Sequence, residues 1–86
     1  MKAKLFLRDS PEPLCEVELE IRGDPTYGAP YEAKLAEADA HYIVGLEGGV
    51  VFEGADGLRY EGAVQHAFRP PRGGALLQGP LRQRKR

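Results

Sequence analysis

The segment from Leu14 to Arg22 alternates between apolar and charged side chains. The apolar members are Cys15, Val17, Leu19 and Ile21, and the charged members are Glu16, Glu18, Glu20 and Arg22. Successive side chains of a β-strand point to opposite faces of the sheet, so this pattern predicts a strand with one buried face. The other face is predicted to be a solvated acidic ribbon.

The most hydrophobic part of the chain is His41–Gly54. Two apolar runs, Tyr42–Leu46 and Val50–Phe52, flank a short segment that contains Gly48-Gly49. Glycine tolerates the positive φ of tight turns, so the pattern predicts a central β-hairpin that turns at Gly48-Gly49. The lysine and helix that would make this glycine-rich turn a phosphate loop are missing, which favours a scaffold role.

Three further strands are predicted around this hairpin. Ala3–Leu7 is apolar, Leu58–Phe68 alternates after an Asp56-Gly57 turn, and Ala75–Leu77 is a short last strand before Gly79-Pro80 interrupts it. Eleven residues are long for one strand, so Gly62 is the expected site of a bulge or bend. In Leu58–Phe68, His66 falls on the apolar face, which predicts a core or rim histidine.

The segment from Tyr31 to Ala40 admits two interpretations. Its Ala, Glu, Lys and Leu content, with Pro30 at the first helical position, is typical of a short helix at 31–39. The alternation of Tyr31, Ala33 and Leu35 with charged residues instead predicts a strand that bends into the hairpin. The β-rich surroundings favour the strand.

These elements predict a mainly β fold. Five to six short strands joined by close turns indicate a small single-domain antiparallel barrel or sandwich, with one short helix at 31–39 as the alternative for that segment. A chain of 86 residues has room for one core. We expect the β domain to cover 1–69 and a Pro/Gly/Arg-rich, partly mobile extension to cover 70–86.

Composition sets the expected compartment. The chain is 42% hydrophobic and 29% charged, which is typical of a soluble globular protein. It contains neither an apolar run that could span a bilayer nor a long enough secretory signal, and its single cysteine cannot form an internal disulfide. We therefore expect a cytoplasmic protein without a membrane partner. The lack of Asn, with only one Cys and one Met, is typical of thermophile proteins, while a GC-rich genome, which favours Ala, Gly, Pro and Arg codons, explains the composition equally well.

Charge is divided sharply along the chain. Residues 1–8 carry three positive charges and no negative charge. Residues 9–61 hold all thirteen carboxylates against three basic residues, and residues 62–86 carry six positive charges and no acid. This asymmetry indicates an acidic body with a basic tail, and a polyanion is a natural partner for such a tail.

Residues that could support catalysis occur in unpromising settings. Cys15 lies on the apolar face of its strand, where free cysteine commonly acts as a small hydrophobe. His41 and His66 are isolated from each other, and one Cys with two His makes no recognisable zinc site. The glutamates of the acidic ribbon lack the walled pocket that would separate their pKa values. We therefore predict a protein that is not an enzyme and that uses no cofactor, metal or small-molecule substrate.

The basic tail is the best functional signal. Its candidate nucleic-acid-binding residues are Arg69, Arg72, Arg82, Arg84, Lys85 and Arg86. Arginine in a Pro/Gly-rich segment often contacts phosphates, which predicts a small β-barrel binding module for RNA or DNA. The alternative is a structural or protein-interaction subunit that forms a homo-oligomer, in which the tail of one copy lies on the acidic face of another.

Two stretches are similar to the motifs of Sm-like RNA-binding proteins. The first is Tyr31-x-Ala33-x-Leu35-x-x-Ala38-Asp39 followed by Tyr42-Ile43-Val44, and the second is Leu76-Leu77-Gln78-Gly79-Pro80-Leu81. The resemblance implies a strongly bent small barrel that forms rings and binds RNA. Ala33 and Ile43 replace the usual glycine and asparagine, and Gln78 replaces the usual basic residue. Because the base-contacting residues are mostly missing, we assign the chain to no family from its sequence.

Overall fold

The computed structural model describes residues 1–44, 46 and 49–84. Its strands are β1 (Lys2–Leu7), β2 (Cys15–Ile21), β3 (Ala29–Leu35), β4 (Val50–Gly54), β5 (Arg59–Gly62), β6 (His66–Phe68) and β7 (Ala75–Gln83). A 3₁₀ helix over Glu37–Ile43 connects β3 to β4. The protein is therefore mainly β, as the alternating patterns predict.

The sheet closes on itself. Neighbouring strands follow the order β3-β2-β1-β4-β5-β7, and an antiparallel pairing of β3 with β7 joins the two ends. Because β5 and β6 lie one after the other along the same edge of β7, the seven strands form a closed barrel of six positions. Closure pairs edges that would otherwise be exposed. The predicted small antiparallel barrel is confirmed.

β5 and β6 are two parts of one bent strand. The Ala63 N–H donates to the Pro80 carbonyl at 3.0 Å, and the Gln65 N–H donates to the Gln78 carbonyl at 2.9 Å. His66 is also the partner of Gln78, so two residues lie opposite one, which is the arrangement of a β-bulge. The predicted interruption of Leu58–Phe68 is confirmed, but its predicted position at Gly62 is wrong, because the bulge lies at Gln65–His66.

Apolar side chains from all six barrel positions meet inside. Phe52, Leu5, Leu19 and Leu77 are almost fully buried. The rings of Tyr31 and Phe52 pack edge to face with centroids 5.0 Å apart, and the Tyr31 hydroxyl donates to the Ala63 carbonyl at 3.0 Å. On β2 the predicted alternation is confirmed, because Val17 and Leu19 are buried and the three glutamates between and beside them are exposed.

The predicted central hairpin is wrong in its first arm. Tyr42 and Ile43 belong to the 3₁₀ helix, and β4 pairs with β1 on one side and β5 on the other. With both edges of β4 taken by other strands, the preceding segment has no strand partner there. It instead buries Ala40 and Leu46 against the core. Of the predicted Gly48-Gly49 turn, Gly48 lies outside the described residues, and Gly49 has a φ of 137°.

The turn at Asp56-Gly57 is confirmed and joins β4 to β5. The Gly57 N–H donates to the Gly54 carbonyl at 3.0 Å, and Gly57 has a φ of 81°. The Asp56 carboxylate accepts the Leu58 N–H at 3.0 Å. Asp-Gly suits such a turn because aspartate satisfies nearby backbone donors and glycine adopts positive φ without strain.

The ambiguous segment 31–39 contains both structures in succession. It is a strand up to Leu35 and enters the 3₁₀ helix at Glu37. Tyr31, Ala33 and Leu35 are buried between β2 and β7. The strand interpretation is therefore correct up to Leu35, where the alternation of buried and exposed residues ends. A helix over the whole of 31–39 is wrong.

The chain after residue 69 belongs largely to the barrel. β7 covers Ala75–Gln83 and pairs with β3, β5 and β6, so this segment is a barrel strand and not an extension. Gly79-Pro80 does not interrupt it. Pro80 lacks an N–H, but its carbonyl accepts the Ala63 N–H, and Gly79 leaves room for the backbone of 63–65 to approach.

The carboxylate of Glu37 organises the turn before β7. It accepts hydrogen bonds from the Gly74 N–H and from the Arg69 guanidinium. The backbone hydrogen bond from Gly74, followed by the hydrogen bond and charge of Arg69, holds the pKa of Glu37 below its usual value. The ionised carboxylate therefore stabilises this connection between the 3₁₀ helix and β7.

Glu37→Gln is expected to lower the stability of the protein at neutral pH but to have little effect in acid. A depressed folded-state pKa means that the ionised group contributes stability above its unfolded pKa, and that this contribution is lost as the pH falls through the folded pKa. Urea midpoints at pH 7 and pH 3 for both proteins measure the difference, and Glu12→Gln in an exposed loop is the control. An equal deficit at both pH values contradicts the prediction.

Candidate nucleic-acid interface

Basic residues from both ends of the sequence meet on one outer face of the barrel. Lys4, Glu53 and Arg59 are successive Cα partners across β1, β4 and β5. Phe6, Val51, Glu61 and Arg82 form the next row across β1, β4, β5 and β7. We call the surface formed by Lys4, Arg8, Arg59, Arg82 and Arg84 the basic face. The sequence separates these residues widely, and the pairing of β1 with β4, β4 with β5 and β5 with β7 brings them together.

Arg84 and Arg8 complete the basic face beyond these two rows. The Arg84 N–H donates to the Arg59 carbonyl at 2.8 Å, which places Arg84 beside β5. Arg8 follows β1 and lines a small depression of about 220 Å³ together with Glu61 and Gly62. The face thus carries five basic side chains against the carboxylates of Glu53 and Glu61, with Glu16 of β2 beside Lys4 at its edge. Its excess of positive charge suits a polyanion.

An apolar centre orients one of the arginines. Phe6 and Val51 point outward, yet only 6% and 3% of their surface is exposed. The guanidinium carbon of Arg59 lies 5.2 Å from the centroid of the Phe6 ring, in cation–π geometry. The Arg59 Nε also lies 3.1 Å from the Glu53 carboxylate. Phe6 and Glu53 together hold the guanidinium of Arg59 over this face.

The ion pairs on this face are solvent-exposed. Arg84 Nε lies 3.2 Å from Glu61 Oε1, and each side chain is almost half exposed. Such pairs contribute about 0–1 kcal/mol and are weakened further by salt. They position the guanidinium groups without removing them from solvent, so a phosphate can compete for the same donors.

An exposed aromatic side chain lies next to these arginines. Tyr27 is 90% exposed and borders a depression of about 600 Å³ together with Glu61, Arg82 and Arg84. Its loop is attached to β7, because the Gln83 N–H donates to the Pro25 carbonyl at 2.8 Å. Tyr27 was not among the predicted binding residues. One sequence signal could have indicated its exposure. Tyr27 is a lone aromatic residue among turn-forming residues, and no apolar periodicity there predicts that it is buried.

The structure separates the predicted binding residues into groups. Arg82 and Arg84 lie on the basic face, whereas Arg69 is paired with Glu37 and Arg72 lies in the turn before β7. Seven residue steps separate Ala75 from Arg82, which is about 23 Å in an extended strand. Lys85 and Arg86 lie outside the described residues. The four predicted residues within the described part of the chain therefore do not form one cluster.

The acidic ribbon on β2 is flanked by lysines of the same chain. Glu18 has Lys2 and Lys34 as its Cα partners on the two neighbouring strands, and Glu16 has Lys4. Opposite charges at such positions attract each other modestly. The ribbon is solvated as predicted, but much of its charge is balanced locally.

The remaining reactive side chains occupy different settings. Cys15 is half-buried, and burial, with a smaller effect of the Asp39 carboxylate, raises the pKa of its thiol to about 11. At neutral pH it therefore stays a thiol, as expected for a structural cysteine. His41 is exposed.

The predicted burial of His66 is wrong, because this side chain is exposed. Tyr60, before the bulge, points into the core, and the alternation predicted from Leu58–Phe68 would bring His66 to the same side. The extra residue at Gln65–His66 shifts the alternation by one position. His66 and Phe68 consequently lie on the outside, where they are partners of Gln78 and Leu76.

Within residues 1–44, 46 and 49–84, no group of three His, Cys, Asp or Glu side chains could hold a metal ion. In the same part of the chain, no helix has the length and apolar character needed to cross a membrane. Comparison with protein-family models, curated proteins and solved structures finds no significant match. The comparisons thus give no support to the Sm-like resemblance, whose Tyr42-Ile43 lies in the 3₁₀ helix.

Proposed function

We propose that this protein is a non-enzymatic β-barrel module that binds single-stranded RNA or DNA on its basic face. The observation that carries the proposal is the exposed ring of Tyr27 beside Arg82 and Arg84. Proteins that bind single strands combine a basic surface for the phosphates with aromatic side chains on which bases stack. A duplex hides its base faces, so Tyr27 favours a single-stranded ligand.

The charges of the basic face support the same ligand. Arg82 lies on the outer side of β7 and Arg84 directly follows the strand, and both side chains are exposed. Lys85 and Arg86 follow them in the chain and add positive charge to the same end of the sequence. Contacts between these residues and phosphates would release counterions, which makes binding salt-dependent.

Self-association through the acidic ribbon is the competing function. It requires the basic end of one copy to reach the glutamates of another. Lys2, Lys4 and Lys34 already lie beside those glutamates, which reduces the attraction available to a second copy. The exposed Tyr27 belongs to the loop attached to β7 and lies outside the acidic ribbon of β2. Both observations favour nucleic acid.

Fluorescence anisotropy with labelled 12-nucleotide single strands of RNA and DNA tests the proposal. Tyr27→Ala is expected to weaken binding about tenfold, since stacking contributes about 1–3 kcal/mol per base. Arg82→Ala with Arg84→Ala is expected to weaken binding and to reduce the slope of log K against log salt by about 0.7 for each phosphate that is no longer neutralised. Lys34→Ala, which removes one exposed charge from β3, is the control and should bind normally.

The outcomes separate the two candidate functions. Failure of the full chain to bind any of these strands at low salt would reject the proposal. A salt-sensitive oligomer in light scattering, combined with that failure, would support self-association. If Lys34→Ala weakens binding as much as the loss of Arg82 and Arg84 does, binding follows net charge and not this face.

A further inference from the structure

A second surface on β7 carries hydrogen-bonding groups of a different kind. A groove of about 500 Å³ crosses β3 and β7 beside the bulge, and its lining includes Arg22, Pro30, Glu32, His66, Gln78 and Pro80. Glu32, Gln78 and His66 are successive Cα partners across β3, β7 and β6. Partner side chains on one face of a sheet lie about 5 Å apart, so a carboxylate, an amide and an imidazole form one polar row.

Two prolines form the neighbouring row. Pro30 and Pro80 are partners on β3 and β7, two residues along each strand from the polar row. Both point outward, and together they give an apolar wall beside the hydrogen-bonding groups. A planar, partly polar ring fits this combination, because its face can pack on an apolar surface while its edge is hydrogen-bonded.

The carboxylate of Glu32 is the most constrained group in the groove. Its side chain is only 17% exposed, and Arg22 Nη2 lies 3.2 Å from Glu32 Oε2. Arg22 Nε contacts Glu20 as well, so the guanidinium is held between two carboxylates. An ionised carboxylate accepts N–H donors, and the hydrogen bond from Arg22 goes to Oε2 of Glu32. The groove therefore offers an acceptor to the N–H edge of a base.

The groove continues the surface proposed for nucleic acid. Gly28, which lines it, is the chain neighbour of Tyr27, and Pro80 is two residues from Arg82 on the outer side of β7. A single strand whose phosphates lie along the arginines and which stacks one base on Tyr27 has its next bases within reach of the groove. The polar row is then placed to contact a base edge.

We infer that the groove selects bases that carry an exocyclic amino group, with Glu32 as the acceptor of that N–H. This inference rests on the proposed function and adds a substrate preference to it. Cytosine presents an N4 amino group where thymine and uracil present an oxygen, and acidic side chains accept from that amino group. Glu32 thus favours cytosine over thymine or uracil.

Competition between labelled (dC)12 and (dT)12 at pH 7.5, repeated with the corresponding RNA strands, tests the inference. The full-length chain is expected to bind the cytosine strand about tenfold tighter than the thymine or uracil strand. Glu32→Gln keeps the size of the side chain but lets it donate to an oxygen, so the ratio is expected to fall to near one. Glu16→Gln removes an equally charged, exposed side chain from β2 outside the groove and should leave the ratio unchanged.

The results distinguish this inference from the proposal on which it rests. Equal binding of both strands by the full-length chain overturns the base preference and leaves the basic face intact. A tenfold ratio that survives in Glu32→Gln overturns the role of Glu32. If no strand binds, the proposed function itself fails. Circular dichroism of Glu32→Gln confirms that the barrel is retained.

Discussion

Phe52→Ala is expected to lower the free energy of unfolding by about 3–5 kcal/mol. Phe52 is fully buried at the centre of the barrel, and its ring packs against Tyr31 with centroids 5.0 Å apart. Truncation removes the buried ring and leaves a cavity that rigid strands on all sides cannot fill. A domain of 86 residues has a total stability of about 4–13 kcal/mol, so this one change removes a large part of it.

Chemical denaturation of Phe52→Ala beside Phe68→Ala measures this effect. Phe68 is 43% exposed on β6, so the same truncation there is expected to cost much less, about 1 kcal/mol or below. Similar losses in the two variants would contradict the assignment of Phe52 to the centre of the core. If Phe52→Ala is unfolded in buffer, its stability can be measured in an osmolyte such as trimethylamine N-oxide, with Phe68→Ala measured in parallel.

Gly79→Ala is expected to destabilise the barrel by about 3 kcal/mol or more. A Cβ at this position would lie 2.0 Å from the Ala63 carbonyl oxygen and 3.2 Å from the Gln65 nitrogen. Both atoms belong to the backbone of the bulged segment, which cannot move away like the end of a flexible side chain. The substitution must therefore displace the bulge from β7 and weaken the hydrogen bonds on either side.

The control for this prediction is Gly57→Ala in the β4–β5 turn. Gly57 has a φ of 81° with nothing within 4 Å of an added Cβ, so the substitution adds backbone strain of about 1–2 kcal/mol without a steric clash. Thermal unfolding of both variants gives the comparison. A melting temperature for Gly79→Ala equal to or above that of Gly57→Ala would show that the backbone of the bulge is too far from Gly79 for an added Cβ to clash with it.

Local patterns in the sequence predicted the strands whose two faces differ. Cys15–Ile21 alternates cleanly because one face is buried and the other is solvated, and the Asp56-Gly57 turn has side chains that determine its geometry. The segment before β4 was predicted as a strand because its residues are apolar and β-branched. Its described part is a 3₁₀ helix and not a strand, because β1 and β5 occupy both edges of β4. A local sequence pattern carries no information about these pairings.

In the candidate site, too, local sequence patterns predicted some features, whereas pairing between distant segments determined the others. The charge of Arg82 and Arg84 was evident in the sequence, but their separation from Arg69 follows from the length of β7. Lys4 and Arg59 join the face only because β4 pairs with both β1 and β5. The exposure of His66 follows from a single extra residue in the bulge, which reverses the predicted side of the strand. These features arise from pairing between distant segments.

The pairing of β7 also determines when the fold can form during synthesis. Ala75–Gln83 supplies partners for β3, β5 and β6, and its pairing with β3 joins residues that are 40 to 52 positions apart in the chain. A nascent chain that has not yet released this strand from the ribosome exposes the unpaired edges of β3 and β5. Such edges can pair with other chains, so protection against aggregation begins only when β7 emerges. The barrel is thus expected to fold late and in a single cooperative step, at the slow rate typical of topologies dominated by distant contacts.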